Sequence, residues 1–241
     1  ESIFLILLGA LTSLSLPPFN YVIINFLTFS LFYIFLIKKI ESHKNKKIFF
    51  LYGWLFGFGY FVSNLYWISI SLTFDQNFKF LIPFTIILIP GFLALFYALI
   101  SYLFAILKPN KNLSSFFLFS LIFGIVEFIR GSILTGFPWN LIAYSFSNQI
   151  EILNITSVIG TYSFNLFCIS LFTSPSIFIL RENKKDISIC VAILITTMSF
   201  YILGSQNLEK FNNQQVKKLD HKLRILSSNI GIDRFYNNID P

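Results

Sequence analysis

The residues whose types and spacing could do chemistry are Glu127 and Arg130. They sit three apart in E-F-I-R-G-S-I-L-T-G-F-P-W-N-L-I-A-Y, residues 127–144, at the end of an apolar run. An acid at membrane depth is costly, so it usually has a partner and often a function. On a helix the two side chains share a face at i, i+3. Arg130 suits a helix C-terminus, where the backbone dipole favours a cation; Glu127 does not, which argues that it is paired. The expected role is a structural ion pair rather than acid–base catalysis. Gly131 is expected to be the C′ cap, and Gly136 and Pro138 to break the helix beyond it. In the loop that follows, Phe137, Trp139 and Tyr144 offer apolar faces, and Trp and Tyr add polar tips suited to a headgroup boundary. The plainer alternative is a helix end with a neutralised pair and an interfacial Trp.

The elements that must position this stretch are apolar. The 241 residues are 55% hydrophobic and 12% charged, with a mean hydropathy of +0.72. A soluble domain carries about a quarter charged residues, so the composition predicts an integral membrane protein of the all-α, polytopic class. The 32 Phe exceed what packing needs and, with abundant Ile, Asn and Lys, suggest an AT-rich genome. Seven spans are expected, over about 2–16, 21–37, 48–72, 81–107, 113–130, 154–180 and 187–203. The first is read as a span with a trimmed start rather than a signal peptide, because no small-residue cleavage pattern follows it. Pro90-Gly91 predicts a kink in the fourth. In the third, Gly53 and Gly57 form a G-x-x-x-G that permits close helix approach, and Asn64 is expected to bond across to a neighbour. Residues 131–153 read as a loop dipping into the interface, with Trp139, Tyr144 and Phe146 at headgroup depth. Gly160 to Asn165 is a polar patch, read first as packing through small residues.

The net charge of +7 matters less than its placement. Basic residues crowd the connections 38–47, 108–112 and 181–186, which follow spans two, four and six. An even number of spans separates them, so all three fall on one side. This is a positive-inside pattern and not a nucleic-acid footprint. It puts the N-terminus in the cytoplasm and everything after residue 203 outside. Cys168 and Cys190 lie in apolar runs and read as fillers. His43 lies in a basic connection and reads as solvated. No metal-ligand spacing is visible, and no cofactor is implied.

Residues 222–230, K-L-R-I-L-S-S-N-I, read as a strand entering a soluble domain that 241 residues do not complete. At this point a resemblance becomes specific. The chain is similar to the N-terminal membrane portion of bacterial apolipoprotein N-acyltransferases. The matches are Gly9-Ala10 with Pro17-Pro18-Phe19, the G-F-G-x-F-x5-W-I run from Gly57 to Ile68, E-F-x-R-G-x-x-L-T-G-F-P-W from Glu127 to Trp139 with Tyr144 following, a patch from Gly160 to Leu166, and a strand ending in Asn229-Ile230.

The resemblance implies three parts: a helical membrane domain (1–203), a periplasmic linker (204–221) and the truncated start of an α/β nitrilase-like domain (222–241). It implies a ping-pong reaction at a Cys nucleophile served by a Glu base and an oxyanion-stabilising Lys. The Cys takes an acyl chain from a phospholipid as a thioester; the α-amine of a lipoprotein's S-diacylglyceryl cysteine then receives it. None of the three catalytic positions falls within this chain, which is therefore expected to be inactive alone. Phe137, Pro138, Trp139 and Tyr144 become candidates for lipid or substrate contact, together with Tyr236, which stands where the family often has Trp. The implied setting is the bacterial inner membrane. A transporter or a non-catalytic membrane scaffold remains the alternative, although no inverted repeat is apparent between the halves.

Overall fold

A long apolar segment in hydrocarbon can satisfy its backbone only by internal hydrogen bonds or by closing a barrel. The computed structural model describes residues 1–109, 112–134, 136–181, 183–214, 224 and 226, and among these it is helical with no strand. The helices are α1 (Ser2–Ser13), α2 (Ile23–Ser42), α3 (Ile48–Leu65), α4 (Ile82–Leu107), α5 (Asn112–Ser132), the short α6 (Ile150–Leu153) and α7 (Thr156–Ile159), α8 (Thr161–Ile179) and α9 (Lys184–Asn212). Turns of 3-10 helix cover Tyr66–Thr73, Gln76–Leu81 and Ile142–Phe146. Six segments among the described residues are long and apolar enough to cross a membrane: Ile23–Ser42, Ile48–Thr73, Gln76–Leu107, Asn112–Ser132, Thr161–Ile179 and Lys184–Asn212. With α1, a shorter helix of 12 residues, they make a multi-pass all-α membrane protein.

Glycines set how closely the helices approach. On α3, Gly53 and Gly57 lie on one face, against Tyr97 of α4, where a Cβ would overlap the Tyr97 backbone and side chain. Gly59 lies on another face, against the Ile6 backbone of α1, and Gly9 of α1 answers it against Phe56. Helix α3 is thus held between α1 and α4 by backbone-to-backbone approach, the usual route to affinity where lipid is as apolar as the side chains. The rest of the core is aromatic. Phe29, Phe32, Phe56, Phe104, Phe119 and Phe123 are all buried; Phe32 stacks on Phe56 at 4.0 Å and 10°. The phenylalanines that composition alone would assign to genomic bias include the centre of the bundle.

Several expectations need correction. Helix α5 does not end at Gly131 but runs to Ser132. Gly131 is glycine because Tyr162 of α8 packs on it, its hydroxyl where a Cβ would be. The sixth span does not begin at residue 154: Gly160, at φ +81°, separates α7 from α8. Asn64 bonds within its own helix, donating to the Tyr60 carbonyl at 3.0 Å. Phe146 is not at headgroup depth but buried, stacked on Phe172 at 5.6 Å. Helix α9 continues through Gly204 to Asn212, because Gly204 is a contact point with the Glu151 carbonyl rather than a break. The expected strand over 222–230 lies outside the described residues, apart from Arg224 and Leu226.

Contacts between connections show which ends lie together. Lys108 pairs with Glu41 at 3.9 Å, and the Asn112 amide donates to the Leu180 carbonyl at 2.8 Å. The three basic connections therefore share one end of the bundle, and Glu1, paired with Lys39, lies there too. At the other end, Ser147 donates to Asn20 at 3.0 Å, and Asn207 of α9 donates to Asn154 at 2.9 Å. The last described turn of α9 thus lies at the same end as the segment 133–160.

Candidate functional site: a buried ion pair and the loop it holds

Helix α5 brings Glu127 and Arg130 to the end of the bundle opposite the basic connections. Both side chains are fully buried, and Arg130 Nη2 donates to Glu127 Oε2. The other terminal nitrogen, Nη1, donates to two backbone carbonyls of the following loop, Phe137 at 2.7 Å and Trp139 at 3.0 Å. The loop returns one bond, from the Phe137 amide to the Arg130 carbonyl at 3.1 Å. The guanidinium also lies over the rings of Phe61 and Phe137, 5.4 and 5.9 Å from their centroids. One cation therefore joins α3, α5 and the loop, and one anion keeps it neutral overall. Arginine suits this task because its rigid fork can serve carboxylate and carbonyls together.

The loop needs such a clamp. Leu134 (φ 59°), Gly136 (φ 73°) and Asn140 (φ 57°) all lie in the left-handed region, so the backbone turns sharply at each of the three. For Leu that region is unfavourable. Irregular backbone persists at membrane depth only when protein or a cavity lines it. Two further bonds continue the fixing. Tyr60 of α3 donates its hydroxyl to the Asn140 carbonyl at 2.7 Å. The buried Asn165 of α8 accepts from the Ala143 amide at 2.9 Å. Beyond that point Ile142, Ala143 and Phe146 enter the core. The segment is anchored at both ends, and its tip, Pro138 and Trp139, stays exposed.

Of the residues singled out from sequence, Glu127, Arg130, Phe137, Pro138 and Trp139 come together here. Tyr144 is half-buried further along, and Tyr236 lies outside the described residues. Trp139 stacks on Trp67 at 5.5 Å and 25°, and its ring also meets that of Phe137 at 5.5 Å, tilted by 49°. Trp67 stood out in the sequence only within the Gly57-to-Ile68 match, and neither it nor Tyr60 nor Asn165 was connected with the loop. The polar patch at Gly160 to Asn165 was the available signal for Asn165. Tyr97 was missed as well: it is buried and stacked on Tyr60 at 5.8 Å. No cluster of His, Cys, Asp and Glu among the described residues could hold a metal ion. Cys168 is buried and Cys190 points its thiol at the Ser174 carbonyl, 3.4 Å away; both are free thiols.

The family model described as apolipoprotein N-acyltransferase N-terminal domain matches residues 8–173, which include the clamp and the loop. The chain belongs to the apolipoprotein N-acyltransferase family. Its sequence is 32% identical to an apolipoprotein N-acyltransferase from Rhodopseudomonas palustris over 98% of this chain and 44% of that protein. Its similarity to the enzyme so named from Rickettsia prowazekii is 33% identity over 80% of this chain and 38% of that one. For Rhizobium etli the figures are 32%, 78% and 36%. The chain thus spans less than half the length of the relatives it matches, and what it matches is the membrane module of the family.

Proposed function

We propose that this chain is the membrane module of an enzyme that moves an acyl chain from a phospholipid to the α-amine of a lipoprotein's N-terminal S-diacylglyceryl cysteine. The reading is carried by one observation: the family's matched region includes a loop held in a fixed, exposed pose by a buried ion pair, at the end of the bundle where α9 finishes. A nitrilase-like domain following α9 would face Phe137, Pro138, Trp139 and Tyr144, with Tyr236 near its start. In that domain a Cys would take the acyl group as a thioester and pass it to the amine; a thiolate attacks an ester readily, and a thioester is open to an amine. The module's own part is to hold the two lipid substrates beneath that Cys, with the aromatic loop guiding acyl chains to it. The basic connections would face the cytoplasm of a bacterial inner membrane, and the loop the periplasm.

The test is a chimera. This chain replaces the matching part of the Rhodopseudomonas palustris relative, and acylation of a diacylglyceryl peptide in phospholipid vesicles is followed by mass spectrometry. Acylation by the chimera and none by the 241-residue chain is the expected result. A folded chimera that transfers no acyl group, beside an active parent, would overturn the reading.

A further inference from the structure

Helix α9 is longer than a membrane needs. Its 29 residues reach about 43 Å at 1.5 Å each, against roughly 30 Å of hydrocarbon. Counted from Lys184 at the basic end, about 20 residues cross the hydrocarbon and bring the helix to Gly204, where the polar run Ser205-Gln206-Asn207 begins. We infer that Gly204 and Asn207 are positioning residues. They fix the protruding end of α9 to the turn at 151–154, and so set the height and direction at which the chain leaves the membrane relative to the clamped loop.

Burial argues first. Among the described residues of α9, only Asp186, Ile193 and Gly204 are buried, and Leu203 beside Gly204 is exposed. Gly204 is therefore a point of contact. A Cβ there would lie 1.7 Å from the Glu151 carbonyl oxygen. Backbone cannot swing aside as a side chain can, so any larger residue must push the two segments apart. The second argument is spacing. Asn207 Nδ2 donates to Asn154 Oδ1 at 2.9 Å. Gly204 and Asn207 share a helix face at i, i+3, and Glu151 and Asn154 are likewise three apart. Two contacts in step fix rotation as well as height. The third argument is that the receiving turn is itself seated. The Gln149 amide donates to the Phe146 carbonyl at 2.9 Å, Phe146 is buried on Phe172, and the Ala143 amide is held by Asn165. The turn that receives α9 thus continues the clamped loop, and both sit on one core. An unsupported helix end of this length would be marginal in water. The purpose of the attachment rests on the acyl-transfer reading: a Cys in a domain after α9 has to meet lipid at the membrane surface, and a misplacement of about 1 Å can cost about 100-fold in rate.

The first experiment uses the 241-residue chain, without its native cysteines, in phospholipid nanodiscs. Disulfide formation under copper-catalysed oxidation should be several-fold faster in Asn154→Cys/Asn207→Cys than in Asn154→Cys/Gln206→Cys, whose second position lies off the contact face. Adding Gly204→Leu, or the milder Gly204→Ala, should slow the first pair several-fold. Equal rates for the two pairs, or a fast pair untouched by both Gly204 variants, overturns the attachment. The second experiment uses the chimera with saturating phospholipid. Gly204→Ala should lower the rate constant of the acyl-enzyme burst by about tenfold or more and leave the burst amplitude per folded enzyme and the phospholipid KM unchanged. Gln206→Ala should change none of the three. A defect of folding alone lowers the amplitude and spares the rate constant, and that result, or an unchanged burst, overturns the positioning role. Cross-linking is read without turnover, so its failure leaves the acyl-transfer reading standing, and failure of the parent chimera leaves the attachment standing.

Discussion

Replacing Glu127 by Gln removes a charge and almost no volume. The Arg130 guanidinium then stays buried with two carbonyl acceptors and no counter-charge. Breaking one side of a buried pair costs about 3–5 kcal/mol, most of it the uncompensated charge left behind. The two loop carbonyls retain their bonds, so the lower figure applies. In a domain of this size about 1 kcal/mol moves Tm by roughly 2–4 °C, so Glu127→Gln should lower Tm by about 6–12 °C. Arg130→Met should cost more, because Phe137 and Trp139 also lose a charged donor, each such bond being worth about 1.5–3 kcal/mol.

The double variant separates the pair from the loop. Once Arg130 is Met, no buried cation remains for Glu127 to neutralise, so adding Glu127→Gln should restore some stability. The cycle should therefore show a coupling of about 2 kcal/mol or more, within the range for residues in direct contact. Intrinsic tryptophan fluorescence during thermal melting in detergent is a suitable readout, since Trp67 and Trp139 stack beside the clamp. In the chimera, Glu127→Gln should reduce folded yield more than specific activity. Additive single-variant effects, or a Glu127→Gln protein with unchanged Tm, would show that the pair does not hold the loop. A well-folded variant without turnover would instead give Glu127 a chemical role.

Tyr60→Phe should cost about 1–3 kcal/mol in the same melt, because the Asn140 carbonyl loses its donor. Gly59→Ala should destabilise by pushing α3 off the Ile6 backbone, and Gly91→Ala, which meets only the Trp54 ring at ordinary contact distance, should cost far less on the same melting curve. In a background without native cysteines, a membrane-impermeant thiol reagent applied to intact cells should modify Gln206→Cys and spare Ser42→Cys; the opposite pattern reverses the topology. In the chimera, Trp139→Ala should leave the fold intact and slow formation of the acyl-enzyme from phospholipid, as read from the acyl-enzyme burst; an unchanged burst removes the guiding role.

The apolar runs carried the fold plainly, because a helix in hydrocarbon needs little beyond length and hydropathy. The parity of the basic connections also predicted which ends lie together, and the Lys108–Glu41 and Asn112–Leu180 contacts agree. Ends of helices were less legible. Gly131 and Gly204 look like stops in one dimension, yet each continues a helix and serves a neighbour, Tyr162 or Glu151, that is distant in sequence. The pair itself could be seen from its i, i+3 spacing. Its work could not: the carbonyls of Phe137 and Trp139 have no side-chain signature, and Tyr60 and Asn140 are 80 residues apart. Phe146 was misplaced because an aromatic residue in a loop suits both a headgroup boundary and a core.

The location of the pair follows from what a membrane withholds. Water would otherwise satisfy the loop's carbonyls and help hold its left-handed residues in place, and hydrophobic burial adds little between helices already in lipid. A guanidinium can bridge several acceptors at once, but alone it would be a buried charge. Glu127, one helical turn earlier on the same helix, neutralises it without adding a long-range contact to assemble. The pair therefore forms as soon as α5 does, and the loop is positioned by a group already in place. Trp139 is then exposed on a backbone pinned two residues before it, at it and one residue beyond it, through the carbonyls of Phe137, Trp139 and Asn140. A surface meant only to anchor in headgroups would have no need for such restraint. A ring presented in one orientation would, as the proposed guiding role requires.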